Sequence, residues 1–299
     1  MNEILVSIII PFFNAAAHFR DTLHSIQSQR FQNWECICVD DGSTDSSFHI
    51  ASTMALSDQR FKIYTRPVQL PKGGNSCRNY GFEQARGQFI QWFDADDLMR
   101  PGMIERKAIE LKADPALDFV VSKVADLIDG EVICKKYEMD SDNRIVDFLQ
   151  YKIHFLTPGP MFRRSFLMGR PLFSVLLKRH QEWEFFSRLL IEGCSYRVLP
   201  VYCSIRIIHS ESINATHQKK TLLERAYVKL YTVDVLNKNT QDKAVAVLYR
   251  IYHRYMLWSI FQSLVKFKFK ELQFFTRIFV EFSFKSLKLY RYRQQKTPN

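Results

Sequence analysis

Residues 5–14 read LVSIIIPFFN, and the fold turns on how this stretch is read. Residues 5–10 form a nearly continuous apolar, β-branched run with no polar alternation. That is the pattern of a strand covered on both faces, as in a parallel sheet. Pro11 and Asn14 are expected to close it. Such a strand needs helices above and below, and the following chain supplies them. Residues 18–30 carry Phe19, Leu23 and Ile26 at helical spacing. Residues 34–39 (WECICV) predict a second strand, stopped by the turn composition Asp40-Asp41-Gly42-Ser43. A helix is expected over 43–56, with Ser43, Thr44 or Asp45 as its cap. Residues 61–65 predict a third strand, and 76–86 a helix with Gly87 just past its end. Residues 88–93 (QFIQWF) predict a fourth strand running into Asp94-Ala95-Asp96-Asp97. Pro101 then opens another helix. Strands alternating with helices at this rhythm indicate an open α/β sheet. Ligands of such sheets bind at the carboxyl ends of the strands, where both acidic clusters fall.

The chain has 299 residues, 46% hydrophobic and 24% charged, which excludes disorder and low-complexity classes. Its net charge of +11 comes from 42 basic and 31 acidic residues. From 219 to 299 there are 17 Lys/Arg and 5 Asp/Glu, a net of +12; subtraction leaves −1 for residues 1–218. Two regions follow: a neutral body over 1–218, and a basic, Phe-rich tail over 219–299 that reads as a helical extension. Six cysteines show no zinc-type spacing and read as reduced thiols of a cytosolic protein. No signal peptide and no membrane-spanning segment is expected.

Three carboxylates within four residues, at 94, 96 and 97, repel one another unless a cation or hydrogen-bond donors compensate. A hard divalent ion is a natural partner, since Mg²⁺ binds through one or two carboxylates plus substrate phosphates. The bland alternative is a solvated, helix-capping turn. Asp40-Asp41 at a second strand end weakens that alternative. Two acidic strand ends on one sheet can hold a nucleotide between them.

At these residues the chain resembles a known family. VSIIIPFFN (6–14), CVDDGSTD (38–45), RNYG (78–81) and QWFDADDL (91–98) stand in the order and spacing of family 2 glycosyltransferases. These are bacterial and other enzymes with the A-type glycosyltransferase (GT-A) fold, a Rossmann-like open mixed sheet flanked by helices. The resemblance covers roughly residues 5–215. It implies that Pro11, Phe12 and Asn14 line the base pocket, and that Asp41, beside Asp40, bonds the nucleobase. It also implies that Arg78 faces base or phosphates, Asp94 the ribose or sugar, and Asp96 a bound Mg²⁺ or Mn²⁺. Asp97 is a further candidate ligand, because relatives vary over which Asp binds the metal. RHQEWEFFSRLL (179–190) resembles the helix carrying the catalytic base, and RIIHSESI (206–213) the segment that closes the site. The base position of relatives, usually Asp, aligns with Glu182, one methylene longer; Glu184 is the weaker candidate. His209 is a further candidate for metal or diphosphate. Trp183 could stack on a sugar or sit in the core. Arg163 and Arg164, in TPGPMFRR (157–164), could meet an anionic acceptor or simply solvate.

The resemblance therefore implies an inverting transfer from a nucleotide-diphosphate sugar, UDP-linked by expectation, to a cell-surface glycan or lipid-linked acceptor. In the tail, residues 266–293 interleave Lys/Arg with Phe, the composition of an interfacial membrane helix. An anionic membrane surface at the cytoplasmic face is the expected partner; packing on the body or a homo-oligomer is the alternative. No nucleic-acid motif accompanies the charge. A nucleotidyltransferase would show a Gly-rich basic phosphate loop after the first strand, absent from IIIPFFNAAAHF (8–19). A non-catalytic glycan-binding relative would lack the paired Asp residues or the base carboxylate, and both are present.

Overall fold

The computed structural model describes residues 4–177 and 179–208, with six further helical positions at 254, 257, 258, 273, 276 and 280. The tail otherwise lies outside the described residues, as does His209. In chain order the elements are β1 (Val6–Phe12), α1 (Ala16–Gln27), β2 (Trp34–Asp40), α2 (Ser47–Ser57) and β3 (Phe61–Thr65). Then come α3 (Gly74–Gln84), β4 (Phe89–Trp92), β5 (Asp97–Met99), α4 (Met103–Ala113), β6 (Phe119–Ile128) and β7 (Glu131–Ile133). The second half continues with α5 (Arg144–Leu149), β8 (Pro160–Arg163), α6 (Arg164–Leu167), α7 (Gln181–Glu192) and β9 (Tyr196–Ile207). One mixed sheet runs β3-β2-β1-β4-β8-β6-β9-β5, with β7 paired to β6. The first half is parallel. β8 enters antiparallel to β4, and β5 folds back antiparallel on β9. This is the open mixed sheet flanked by helices that the sequence leads one to expect.

Alternation along β1 splits its side chains between two cores. Ile8, Ile10 and Phe12 pack with Phe19, Leu23 and Ile26 of α1 and Ile104 of α4. Ile9 faces the opposite core with Trp92, Phe162, Phe185 and Phe186. Cys36 and Cys38 share one face, their Sγ atoms 3.7 Å apart and buried.

Two local expectations need correcting. Pro11 does not close β1, which runs on to Phe12. Ile9 O accepts from Phe93 N on the β4 side, and Phe12 O accepts from Asp41 N on the β2 side. Strand alternation therefore turns the Pro11 nitrogen toward β4, where paired register ends at Ile9 and Trp92. A missing N–H costs nothing there. The second helix starts at Ser47, not Ser43. Ser43 and Thr44 bond the neighbouring β1–α1 loop, as described next, while Asp45 both bonds that loop and accepts from Ser47 N at the start of the helix at 2.9 Å.

Candidate active site

Four strand ends meet at the carboxyl side of the sheet. At the first, Asn14 takes a left-handed φ of 49°, which Asn tolerates better than most residues. Its Oδ1 accepts from Thr44 N at 2.8 Å, and its own N–H donates to Ser43 Oγ at 3.1 Å. Asp45 Oδ2 accepts from Ala16 N, and Ser47 Oγ from Ala15 N. The loops after β1 and β2 are thus stitched together, the second supplying the start of α1. Within the second loop Asp40 Oδ1 accepts from Ser43 N and Oγ at 3.0 and 2.6 Å. Gly42, at φ 85°, makes that turn possible. Asp41 is buried and paired with Arg66, whose Nε donates to its Oδ1 at 2.5 Å. Arg66 also donates to the Pro67 and Leu70 carbonyls. Asp40 is therefore a turn-holder, and Asp41 the carboxylate positioned toward the neighbouring loop.

The aromatic residue presented here is not Phe12. Phe12 is 2% exposed and packs on Phe19 with ring centroids 4.7 Å apart. Its place on the α1 core face takes it out of any base pocket. Phe13, one residue on, is 44% exposed, with Lys72 Nζ 4.0 Å from its ring centre. Half-buried Pro11 lies under Gly74, where an added Cβ would stand 4.0 Å from the proline and 3.3 Å from Arg78 Nη1. Arg78, on α3, donates to Asp94 at 2.8 Å and to Asn75 Oδ1 at 3.2 Å. Its buried Nε has no hydrogen-bond partner among the described residues.

The three carboxylates after β4 have different fates. Asp94 is held by Arg78; burial raises its carboxyl pKa while Arg78 opposes the rise. Asp97 is 2% exposed and accepts from Ile207 N of β9 at 3.3 Å. Burial first, and then Asp94 and Asp96, push the Asp97 carboxyl well above its ordinary range. Arg206 opposes this while bonding Asp126 at 2.8 and 3.0 Å. Asp96 stands half-buried between the two. Among the described residues no three His, Cys, Asp or Glu side chains converge as a ready cation cage. An oxygen-only donor set of this kind suits a hard divalent ion, which would take Asp96 and complete its shell with oxygens from outside the protein.

Across the site, the first turn of α7 carries Glu182 and Glu184. Glu182 Oε1 accepts from both the N–H and the hydroxyl of Thr157, the N–H at 2.8 Å. Burial raises the Glu182 carboxyl pKa and the Thr157 bonds lower it. Asp94 raises it further and Arg78 lowers it, so Glu182 shares one electrostatic neighbourhood with the donor-side pair. Glu184 is 1% exposed and locked onto Arg188, which also bonds the Pro171 and Leu172 carbonyls. Trp183 is a core residue, 5% exposed and stacked on Tyr151 at 5.8 Å. An acceptor-stacking role for it does not fit.

Arg163 and Arg164 also need correcting. Arg163 pairs with Phe89, at the start of β4 and therefore at the far end of the sheet from Asp94. Its guanidinium bonds the carbonyls of Leu111, Asp114 and Leu117, capping the end of α4. Arg164 lies beside it, over the Phe82 ring at 5.8 Å. Antiparallel entry of β8 reverses the direction that the TPGP segment alone suggests. Sequence reasoning missed Phe13, Arg66, Lys72 and Thr157. Only Phe13 carried a local signal, the opposite parity to Phe12 on an alternating strand.

A sheet of this order, with paired carboxylates at its strand ends, defines a GT-A type fold. The structure superposes on Staphylococcus aureus TarS residues 1–349, solved with UDP-GlcNAc. The TM-score is 0.71 at 18% identity, covering 93% of this chain and 80% of that one. The family model of glycosyl transferase family 2 matches residues 7–169, and the chain belongs to that family. EpsH of Bacillus subtilis, which carries a provisional glycosyltransferase name, is 30% identical over 72% of this chain and 64% of its own length. A Campylobacter jejuni GalNAc(5)-diNAcBac-PP-undecaprenol β-1,3-glucosyltransferase is 31% identical over 49% of this chain and 48% of its own. The chain thus spans less than two thirds of these curated relatives.

Proposed function

We propose that this chain is an inverting, divalent-metal-dependent glycosyltransferase. It takes sugar from a UDP-linked donor to a hydroxyl of a cell-surface glycan or lipid-linked acceptor. The observation that carries the reading is Glu182, held by Thr157 and acted on electrostatically by both Asp94 and Arg78. The acceptor hydroxyl gives its proton to a Glu182 oxygen as its own oxygen attacks the anomeric carbon. The bond from that carbon to the diphosphate oxygen breaks on the opposite face, and its electron pair leaves with the nucleoside diphosphate. One displacement inverts the configuration. Asp96 would hold a Mg²⁺ or Mn²⁺ ion, which would supply positive charge at the departing diphosphate. Arg78 adds the positive charge of its guanidinium, Asp94 orients the sugar or ribose, and Asp41 with the exposed Phe13 ring receives the base. Asp97, already bonded to β9, is the weaker metal ligand. The UDP-GlcNAc complex of the TarS neighbour supports the UDP assignment, and the undecaprenol-linked substrate in the Campylobacter relative's name supports a lipid-linked acceptor.

Location at a cytoplasmic membrane face is part of the proposal. Among the described residues no helix is long and apolar enough to cross a membrane. In the tail, Leu257 and Val280 are helical, 48% and 45% exposed. With the basic residues of 266–293 they suit a helix lying in an anionic interface. Binding to phosphatidylglycerol vesicles should be strong at low salt and weaker as screening rises. Equal avidity for neutral vesicles would remove that part.

The decisive experiment offers UDP-GlcNAc, UDP-glucose, UDP-galactose and GDP-mannose with Mg²⁺ or Mn²⁺ and measures nucleoside diphosphate release. One uridine donor should dominate and chelation should abolish its turnover. Turnover that persists in EDTA would overturn the metal assignment, and a dominant guanosine donor the UDP assignment. No release from any donor would overturn the reading as a whole.

A further inference from the structure

Lys107 lies on α4 with 0% exposure, the least expected place for a lysine. Its Nζ donates to Gln91 Oε1 at 2.9 Å and to the Pro158 carbonyl at 3.0 Å. Gln91, equally buried on β4, donates to the same Pro158 oxygen at 3.2 Å and to Trp92 O at 2.7 Å. Gly159 O accepts from Ser122 N of β6 at 3.1 Å. The Thr157-Pro158-Gly159 segment is thus hung from α4, β4 and β6 on one side. On its other side Thr157 holds Glu182 through two hydrogen bonds.

We propose that Lys107 is a positioning residue for the transfer step: through Pro158 it fixes Thr157, and through Thr157 the carboxylate of Glu182. The inference rests on the reading of Glu182 as base. A buried cation is a costly way to hold a carbonyl that a packed apolar side chain could simply cover. Its reach across two elements to one loop oxygen is the feature that an apolar side chain cannot supply. Both acceptors of Lys107 are uncharged oxygens. Burial lowers its pKa to about 7, with the Cys203 thiol of β9 the other titratable group acting on it. Two N–H groups of a neutral amine satisfy both oxygens, so the clamp persists in either charge state. The groups acting on Glu182 are Thr157, Asp94 and Arg78. Of these, only Thr157 lies on the segment that Lys107 holds.

The test uses the full chain and two readouts. The first is the Glu182 carboxyl midpoint, followed by ¹³C NMR in protein labelled at glutamate and assigned with Glu182→Gln. Lys107→Met lets Thr157 drift, so Glu182 loses hydrogen bonds to its charged form and titrates roughly one pH unit higher. Thr157→Val should give a similar shift, and the double variant Lys107→Met/Thr157→Val little more than either alone. The second readout is turnover of the donor found active above. Here kcat should fall about 10-fold or more, with donor KM unchanged, as misplacement of a reacting group does. If Lys107→Met folds poorly, Lys107→Gln is the milder second variant: it keeps an N–H donor for one of the two oxygens while shortening the reach, and Gln91 still satisfies the Pro158 carbonyl. An unshifted Glu182 midpoint with normal kcat in the folded variant overturns the proposal. Full activity of Glu182→Gln would instead overturn the reading of the base. The NMR midpoint, which needs no donor, keeps the two failures apart.

Discussion

The two halves of the site are built differently. On the donor side, Asn14, Asp40, Ser43, Thr44 and Asp45 bond one another across the adjoining loops after β1 and β2. These are short polar side chains at the ends of paired parallel strands. On the acceptor side the same work joins a loop to helices rather than one loop to another. Thr157 reaches Glu182 of α7, and Lys107 of α4 reaches Pro158. The donor half is a pattern that a few neighbouring residues enforce. The acceptor half exists only once the sheet has closed. Variants in the first half should therefore disturb binding locally, and variants in the second should separate cleanly into rate effects and fold effects.

The largest expected effect tests that separation. Glu182→Gln keeps the shape of the side chain and removes the proton acceptor. Transfer should slow by at least about 100-fold, within the range that general bases contribute, while donor KM stays put. The wild-type rate should also climb with pH through a midpoint above that of an ordinary glutamate, because burial raises this carboxyl and only the ionised form accepts a proton. A profile flat across the acidic range would break the assignment. Asp96→Asn follows on the donor side. It should lower kcat/KM by about 100-fold at unchanged Tm, since a half-buried loop carboxylate does little for the core. Retained activity in this variant, or in EDTA, would transfer the charge-neutralising task to Arg78 alone.

Legibility follows the same division. The first four strands, their order of appearance and both acidic clusters are readable because their cause is local: β-branched runs, turn residues and helical spacing. Phe12 was misread by one position because both members of a Phe-Phe pair look alike until alternation assigns faces. Arg163 and Arg164 were misplaced because nothing in TPGPMFRR announces that β8 runs antiparallel to β4. Thr157 and Lys107 carry no signal at all. A threonine after a leucine and a lysine on an amphipathic helix are ordinary, and what makes them matter lies 25 and 51 residues away. Glu184 is the instructive case. Its spacing from Glu182 puts it on another helix face, but only the structure shows Arg188 waiting there.

Two ion pairs, one on α7 and one just before β3 at the opposite end of the sheet from the site, separate charge burial from catalysis. Glu184–Arg188 is buried, with side chains 1% and 3% exposed. Asp58–Arg60, at the β2–β3 edge, leaves 12% and 29% of its side chains in solvent. Glu184→Gln strips the charge from a buried partner and should cost about 3–5 kcal/mol, with kcat per folded molecule unchanged. At roughly 2–4 °C per kcal/mol the melting temperature should drop by about 10 °C. A lower kcat at an unchanged Tm would move the catalytic role from Glu182 to Glu184.

Asp58→Asn should produce the smallest change, about 0.5–1 kcal/mol, because solvent already screens the pair. Its signature is the pH dependence. The Arg60 bonds bring the folded Asp58 pKa down to about 2, below its value in the unfolded chain. A depressed folded pKa gives a stabilisation that is complete above the unfolded pKa, roughly pH 4. It is lost as pH falls through about 2. Wild type and Asp58→Asn should therefore differ at pH 7 and converge near pH 2 in urea unfolding. Arg60 also lies over the Trp34 ring at 3.8 Å, and that contact survives in the variant. A difference that stays constant down to pH 2 would assign the effect of Asp58 to its backbone bond with Arg60 N rather than to its charge.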